Sequence, residues 1–348
     1  MAHPVTPALS SKSKSKSTRP GPLNSQNSTN IQAVRLVMQA NSIPIEDEEA
    51  IENHPHLFDH AKEIINRTRN SPMSLEWQQN VKKKRNEYAT RNESTWINKF
   101  WPALIDTKGE RNVQCKDKTG SPLDPDLWEA VAWEKSFLDE NWDCNLRTDS
   151  VPKLETDDPN VQLILDSLPR ITNPRPDIAF GLKQQAFSAE ERLVNNRYQT
   201  YAQVSQGIYH PWLLVETKTT SGNVEDVENQ CCRGGASLVA AARQMIGDSD
   251  PDAAGSSRGA DFQSIAFSVA LVPTVANIFC HWAEVISANE VVYHMHMIKS
   301  FAIRDLDNAI RLHHAVDNVL DWGVDERKIY MKGVLRKIAE REAGLGRK

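Results

Sequence analysis

The sequence is poor in cysteine, and its few cysteines form no motif. The 348 residues include five cysteines, scattered along the chain without a C-x-x-C pair. This scarcity excludes a disulfide framework and argues against a zinc ribbon or a thioredoxin-like redox site, since both need paired cysteines. Free thiols are typical of a reducing compartment, so we predict an intracellular protein.

Long apolar runs are missing as well. None approaches the ~20 residues that a membrane-spanning helix needs, and the first residues lack the apolar segment of a secretory signal. We therefore expect no membrane partner. The formal net charge is −5, which argues against a protein that coats nucleic acid by gross electrostatics but is compatible with one local basic groove.

What remains is the composition of an ordinary globular protein, with 39% hydrophobic and 25% charged residues. Residues 1–30 are rich in Ser, Pro, Asn and Lys, so we predict a disordered tail. We treat 31–348 as a single domain of three parts. These are a helical N-terminal part (31–150), an α/β core (160–300) and a C-terminal helix (305–348).

Apolar side chains at helical spacing predict helices over 31–104, and a stretch rich in Trp and acidic residues from Leu127 to Trp142 predicts another. Lys82-Lys83-Lys84-Arg85 resembles a nuclear-import signal, although a solvated helix face explains these residues equally well. The expected compartment is therefore nuclear or cytoplasmic.

From residue 160 onward, short β-rich runs alternate with helices. Ser188 opens one helix, with Glu191 completing a capping box, and Asn223 opens a long one in which Gly234-Gly235 predicts close packing on a sheet. Residues 247–261 read as a surface loop. The expected strands are Ile178–Leu182, Trp212–Lys218, Gln263–Val272, Val275–Val285 and Val291–Ile298. This order predicts an α/β fold, a mixed central sheet flanked by helices.

The candidate catalytic residues lie at the ends of two predicted strands. The apolar run Leu213-Leu214-Val215 is typical of a strand covered on both faces, and it leads directly into Glu216 and Lys218. Charges at the end of a buried strand are costly unless they are paired or used. If the strand that Asp177 opens is a neighbour, two carboxylates converge, and a hard divalent cation would relieve their repulsion. The alternative is a buried Glu–Lys ion pair that only shapes the sheet.

Pro176-Asp177 followed by Glu216-Thr217-Lys218 resembles the PD-(D/E)XK nuclease superfamily. The flanking segments Arg175–Leu182 and Asn229–Ala236 resemble more closely the PD-(D/E)XK nuclease-like domains that are abundant in fungal genomes. The resemblance covers roughly residues 90–300 and implies a restriction-endonuclease-like fold. It also implies that Asp177 and Glu216 bind Mg²⁺ or Mn²⁺ and that Lys218 serves the attacking water.

The resemblance extends to further residues. An acidic residue on an early helix often joins such sites, which makes Glu93 the candidate and Glu87 a weaker second choice. Gln230 corresponds to a glutamine of exonuclease-like branches, although Gly234 stands where their tyrosine is expected. Apart from the resemblance, the candidates for phosphate contacts, with Gln230, are the cations Arg175, Lys183 and Arg233. The alternative for each cation is an ordinary surface charge.

Two functions follow from the resemblance. The first is a metal-dependent nuclease that hydrolyses phosphodiester bonds in DNA. The alternative is a catalytically inactive module of the same fold that binds nucleic acid or a protein partner. An unrelated α/β scaffold with an accidental Glu-Thr-Lys is a third reading, which the paired flanking segments disfavour.

Overall fold

The structure is a computed structural model. It describes residues 28–40, 42–46, 48–69, 73–88, 91, 99–105, 128–132, 174, 176–205, 208–218, 223–250, 259–260, 262–287 and 290–345. The predictions made for residues 1–27, for Glu93 and for Arg175 lie outside the described residues.

Eight described strands form one mixed sheet. Their order is β1-β2-β4-β6-β7, with β8 on the other side of β7, while β3 pairs with β4 and β5 with β7. Within the described sheet β4 and β6 run parallel, and the other pairs are antiparallel. The strands are β1 Trp128–Ala132, β2 Ile178–Leu182, β3 Gln203–Ser205, β4 Ile208–Thr217, β5 Gly259–Ala260, β6 Ala266–Leu271, β7 Ala276–Ser287 and β8 Glu290–Phe301.

Helices precede, interrupt and follow the sheet. Those before it are α1 Ser28–Ala40, α2 Glu48–Asn53, α3 Pro55–Ile65, α4 Leu75–Tyr88 and α5 Trp101–Leu104. Between strands along the chain lie α6 Ala189–Arg197, α7 Gln199–Ala202 and the long α8 Val224–Ser249. After it come α9 Leu306–Trp322, a π turn Gly323–Arg327 and α10 Lys328–Leu345. The predicted α/β class, a mixed sheet with flanking helices, is confirmed. Among these helices, none combines the length and the apolar character that a membrane crossing requires.

Helix α8 covers one face of the sheet, and α9 packs on the other. All ten residues of β4 are buried, as expected for a central strand. Leu214 belongs to the apolar cluster of Val227 and Cys231 on α8. Leu213 and Val215 belong to the cluster that includes residues of α9. Because side chains alternate along a strand, Glu216 shares the α8 face with Leu214.

The close approach of α8 to the sheet confirms the prediction made from Gly234-Gly235. A Cβ on Gly234 would stand 2.6 Å from Leu214 Cδ2, and a Cβ on Gly235 would overlap the imidazole of His281. The helix therefore lies against β4 and β7 where no larger side chain fits.

Local signals placed several boundaries correctly. Ser188 Oγ accepts from Glu191 N at 3.2 Å, and Glu191 Oε2 accepts from Ser188 N at 2.8 Å, which completes the predicted capping box. Asn223 Oδ1 accepts from Glu225 N at 3.1 Å at the start of α8. Both caps satisfy backbone donors that a helix leaves open at its first turn.

Other predictions were wrong. The helix expected over Leu127–Trp142 is replaced, in its described residues, by strand β1 antiparallel to β2. The loop expected over 247–261 begins later, since α8 runs to Ser249, and Gly259–Ala260 pairs with β7. Helix α1 begins at Ser28, inside the segment predicted as a tail.

Candidate functional site

Strands β2 and β4 bring Asp177 to the end of β4. Ile178 pairs with Val215 in the antiparallel register, so Asp177 precedes β2 at the level of Glu216. Its Oδ2 accepts a hydrogen bond from Thr217 N at 2.7 Å and another from Thr217 Oγ1 at 2.9 Å. Asp177 therefore contacts the Glu216-Thr217-Lys218 segment through Thr217; that its carboxylate converges with that of Glu216 on one metal ion stays a prediction.

Glu216 is 2% exposed and lies beneath α8. Burial lowers the pKa of the Arg233 guanidinium, and the Glu216 carboxylate opposes that shift. Burial also raises the pKa of the Cys231 thiol well above its usual value, and the negative charge of Glu216 adds to the rise. A buried carboxylate beside a half-buried guanidinium compensates part of the cost of removing both from water.

Lys218 follows directly after β4. Its backbone N donates to Leu271 O at 3.0 Å, which continues the pairing with β6. Its Nζ donates to Thr217 O at 3.2 Å. Burial raises the pKa of Asp226, and the ammonium of Lys218 partly offsets the rise. Lys218 therefore faces the first turn of α8.

Asp226 is a candidate site residue that the sequence analysis missed. It shares one face of α8 with Gln230 and Arg233, because positions i, i+4 and i+7 align on a helix. Asp226 Oδ1 and Gln230 Oε1 are both buried with no hydrogen-bond partner in the described part of the chain. The spacing after the Asn223 cap was the available signal, but the helix dipole also explains an acidic residue in a first turn, so the spacing alone does not indicate a site.

Other predicted residues lie elsewhere. Lys183 follows β2 at the end opposite to Asp177, and β2 is five residues long, so the two residues are separated by roughly 20 Å of extended chain. Lys183 therefore does not join Asp177. Glu87 is exposed on α4, beside Lys84.

The side chains at this site offer oxygen ligands. No described group of three or more His, Cys, Asp or Glu residues is arranged to hold a metal ion. Mg²⁺ nevertheless binds through one or two carboxylates, with water and phosphate oxygens completing its shell. Asp177 and Glu216 supply two carboxylates at adjacent strands, and the unpartnered oxygens of Asp226 and Gln230 lie on the covering helix. The donor chemistry fits a hard divalent cation.

The comparisons with known proteins add a family. A family model described as "Domain of unknown function (DUF7924)" matches residues 80–332, which is more than half of the chain. The chain belongs to the DUF7924 family. The DUF7924 match includes the whole sheet and every predicted site residue from Glu93 to Arg233. No curated protein and no solved structure matches the chain.

Proposed function

We propose that this chain is a metal-dependent nuclease that hydrolyses phosphodiester bonds in DNA, with a PD-(D/E)XK site on a restriction-endonuclease-like sheet. The observation that supports this most is the hydrogen bonding of Asp177 to Thr217, within the Glu216-Thr217-Lys218 segment. It joins the two halves of the motif, which are separated by a helix-bearing insertion, at one edge of β2 and β4.

Asp177 and Glu216 would hold Mg²⁺ or Mn²⁺, which when bound lowers the pKa of a coordinated water and stabilises charge on a phosphodiester. The two donors of Thr217 fix the orientation of the Asp177 carboxylate. Lys218 carries a cation to the end of β4, where it would neutralise developing negative charge or orient the attacking water. Arg233, beside Glu216, would contact the phosphate backbone.

Cleavage assays with matched variants test the proposal. Supercoiled, linear and single-stranded DNA would be incubated with the protein in Mg²⁺, Mn²⁺ or EDTA. We expect cleavage that EDTA abolishes and that Asp177→Asn, Glu216→Gln and Lys218→Met each reduce by about 100-fold or more, the order of magnitude of losing one electrostatic contribution in a transition state. The control is Glu190→Gln, an exposed carboxylate on α6, which should leave the rate unchanged.

Asparagine is chosen at position 177 because its side-chain oxygen still accepts from Thr217, so the charge is removed without removing the acceptor. Full-rate cleavage by both Asp177→Asn and Glu216→Gln, or cleavage insensitive to EDTA, would falsify the assignment.

A second function has its own supporting observation. Glu216 is almost fully buried beside the Arg233 cation, an arrangement that already balances the carboxylate without a metal ion. A catalytically inactive module that binds nucleic acid or a protein partner would use such a pair structurally. For that function we expect no cleavage under any condition, binding of labelled DNA in fluorescence anisotropy, and a lower free energy of unfolding in Arg233→Gln, which leaves the Glu216 carboxylate without its cation.

A further inference from the structure

A cavity lies at the far end of β6 from the candidate site. Its volume is about 390 Å³, and its walls come from the turn before β6, from the junction of α9 with α10, and from His60 on α3. Lys218 of the candidate site donates to Leu271, the last residue of β6. The cavity is lined by Phe262 and Gln263, which precede the first residue of β6. Six strand residues separate the two places by roughly 20 Å, so the cavity is distinct from the Asp177 site.

Trp212, a buried residue of β4, packs against the end of α9, next to the helix junction that lines the cavity. Trp212 Nε1 donates to Val319 O at 3.1 Å, and its indole lies where a Cβ on Gly323 would stand. At this point the helix widens into the π turn Gly323–Arg327. Single π turns within helices are frequent at functional sites. This one sets Glu326 and Arg327 into the cavity wall.

The floor of the cavity is aromatic and cationic. Trp322 is 5% exposed and Arg327 is 3% exposed, and the guanidinium carbon of Arg327 lies 5.6 Å from the centre of the Trp322 ring. Arg327 Nη1 donates to Gln263 O at 2.9 Å, which fixes the group. Phe267 packs edge-on against Trp322 with ring centres 5.5 Å apart, so the indole plane is held as well.

The rim of the cavity combines apolar and polar side chains. Phe262 is 39% exposed, and its ring lies 6.5 Å from that of His60. The exposed Gln263 amide and the half-buried Tyr330 complete the rim. Such a rim offers one planar surface for stacking and hydrogen-bonding groups beside it.

One carboxylate and one guanidinium line the cavity. Glu326 Oε1 accepts from Arg67 Nη2 at 2.7 Å, so its negative charge is already balanced by a cation outside the cavity lining. Arg327 places its guanidinium at the floor, near the Trp322 ring. Its field reaches the core, where it acts together with burial to lower the pKa of His210 to about 3.

We propose that this cavity binds a nucleoside monophosphate, with the base against Phe262 and the phosphate towards Arg327. Aromatic side chains stack on any base because every base presents a π face, and the planar guanidinium matches phosphate oxygens. The volume falls within the ~300–1,000 Å³ range of small-ligand pockets. The proposal goes beyond the proposed nuclease function and does not depend on it.

Isothermal titration calorimetry of the full chain tests this inference, with AMP, GMP, CMP and UMP as probes in EDTA. We expect at least one to bind with a Kd below ~1 mM, and adenosine and ribose 5-phosphate to bind at least ~10-fold more weakly, since each lacks one half of the recognised chemistry. Phe262→Ala and Gln263→Ala should each weaken binding. Leu193→Ala removes another exposed apolar side chain, 61% exposed on α6, and should not.

Three results would overturn the proposal. One is the absence of binding by all four monophosphates. Another is binding that Phe262→Ala and Gln263→Ala both leave unchanged, which places the ligand elsewhere. The third is equal binding of ribose 5-phosphate, which removes the role of the base. Asp177→Asn and Glu216→Gln should retain the affinity, so the failure of either site is recognised separately from the other.

Discussion

At the scale of single residues, Asp177 stabilises the fold in addition to its proposed catalytic role. Thr217 is fully buried, and Asp177 Oδ2 is an acceptor for both its N and its Oγ1. Removing the acceptor leaves buried donors unsatisfied, which typically costs about 1–3 kcal/mol. We therefore expect Asp177→Ala to lower the free energy of unfolding by that amount and Asp177→Asn to lower it much less. Urea denaturation measures both, with Glu190→Ala as an exposed control, and equal effects of the alanine and asparagine variants would contradict the hydrogen-bonding role.

Residue identity also sets how much of the candidate site was predictable. Asp177, Glu216 and Lys218 stand in a recognisable motif next to an apolar run, whereas the pairing of β2 with β4 spans an insertion of two helices and β3 and entered the sequence analysis only as a condition. Asp226 carries no such mark, because its place beside Lys218 depends on how α8 returns over the sheet. The burial of Arg327 is harder still to predict from the sequence, because it depends on contacts with Gln263 and Trp322.

At the scale of elements, the packing of α8 gives a sharp test. Gly235 faces His281, whose Nε2 lies 2.7 Å from Ser268 Oγ within the buried layer. Gly235→Ala should force the helix from the sheet and lower the free energy of unfolding by about 1–3 kcal/mol or more. Gly333→Ala in α10 is the matched control, since nothing lies within 4 Å of an added Cβ. That change should stabilise by about 0.4–1 kcal/mol. Thermal or urea unfolding compares the two, and a neutral Gly235→Ala would contradict the close packing.

The elements show where local reasoning holds. The capping box at Ser188, the Asn223 cap and the apolar run before Glu216 are local signals, and each element formed where they indicated. Strand β1 was missed because its state is decided by pairing with β2, some fifty residues onward. Its residues include Trp and Val, which suit a pleated surface as well as a helix face. The π turn at Gly323 lies against Trp212 on a distant strand, a contact that the helical pattern of the sequence does not contain.

The whole molecule contains histidines that it holds uncharged on both sides of the sheet. His281 lies beneath α8, and burial lowers its pKa to about 3. His210 lies in β4 with its Nε2 2.8 Å from Asn195 Oδ1, and burial, with the charge of Arg327, lowers its pKa to about 3. In the unfolded chain a histidine titrates near ~6.5. Below that pH the unfolded state therefore binds protons that the folded state refuses.

The stabilisation due to these lowered pKa values is complete above pH ~6.5 and is lost as the pH falls towards about 3. Each histidine contributes a slope of up to ~1.4 kcal/mol per pH unit in that window, so moving from pH 7 to pH 5 should cost about 2 kcal/mol for each of His210 and His281. Urea denaturation at pH 5, 6 and 7 measures the loss. His210→Gln keeps a hydrogen-bonding group opposite Asn195 and should remove about half of the slope due to the pair, whereas the exposed His56→Gln should leave it unchanged. If the free energy of unfolding is equal at pH 5 and pH 7, both imidazole rings reach solvent. The layers on the two faces of the sheet would then be more open than their packing indicates.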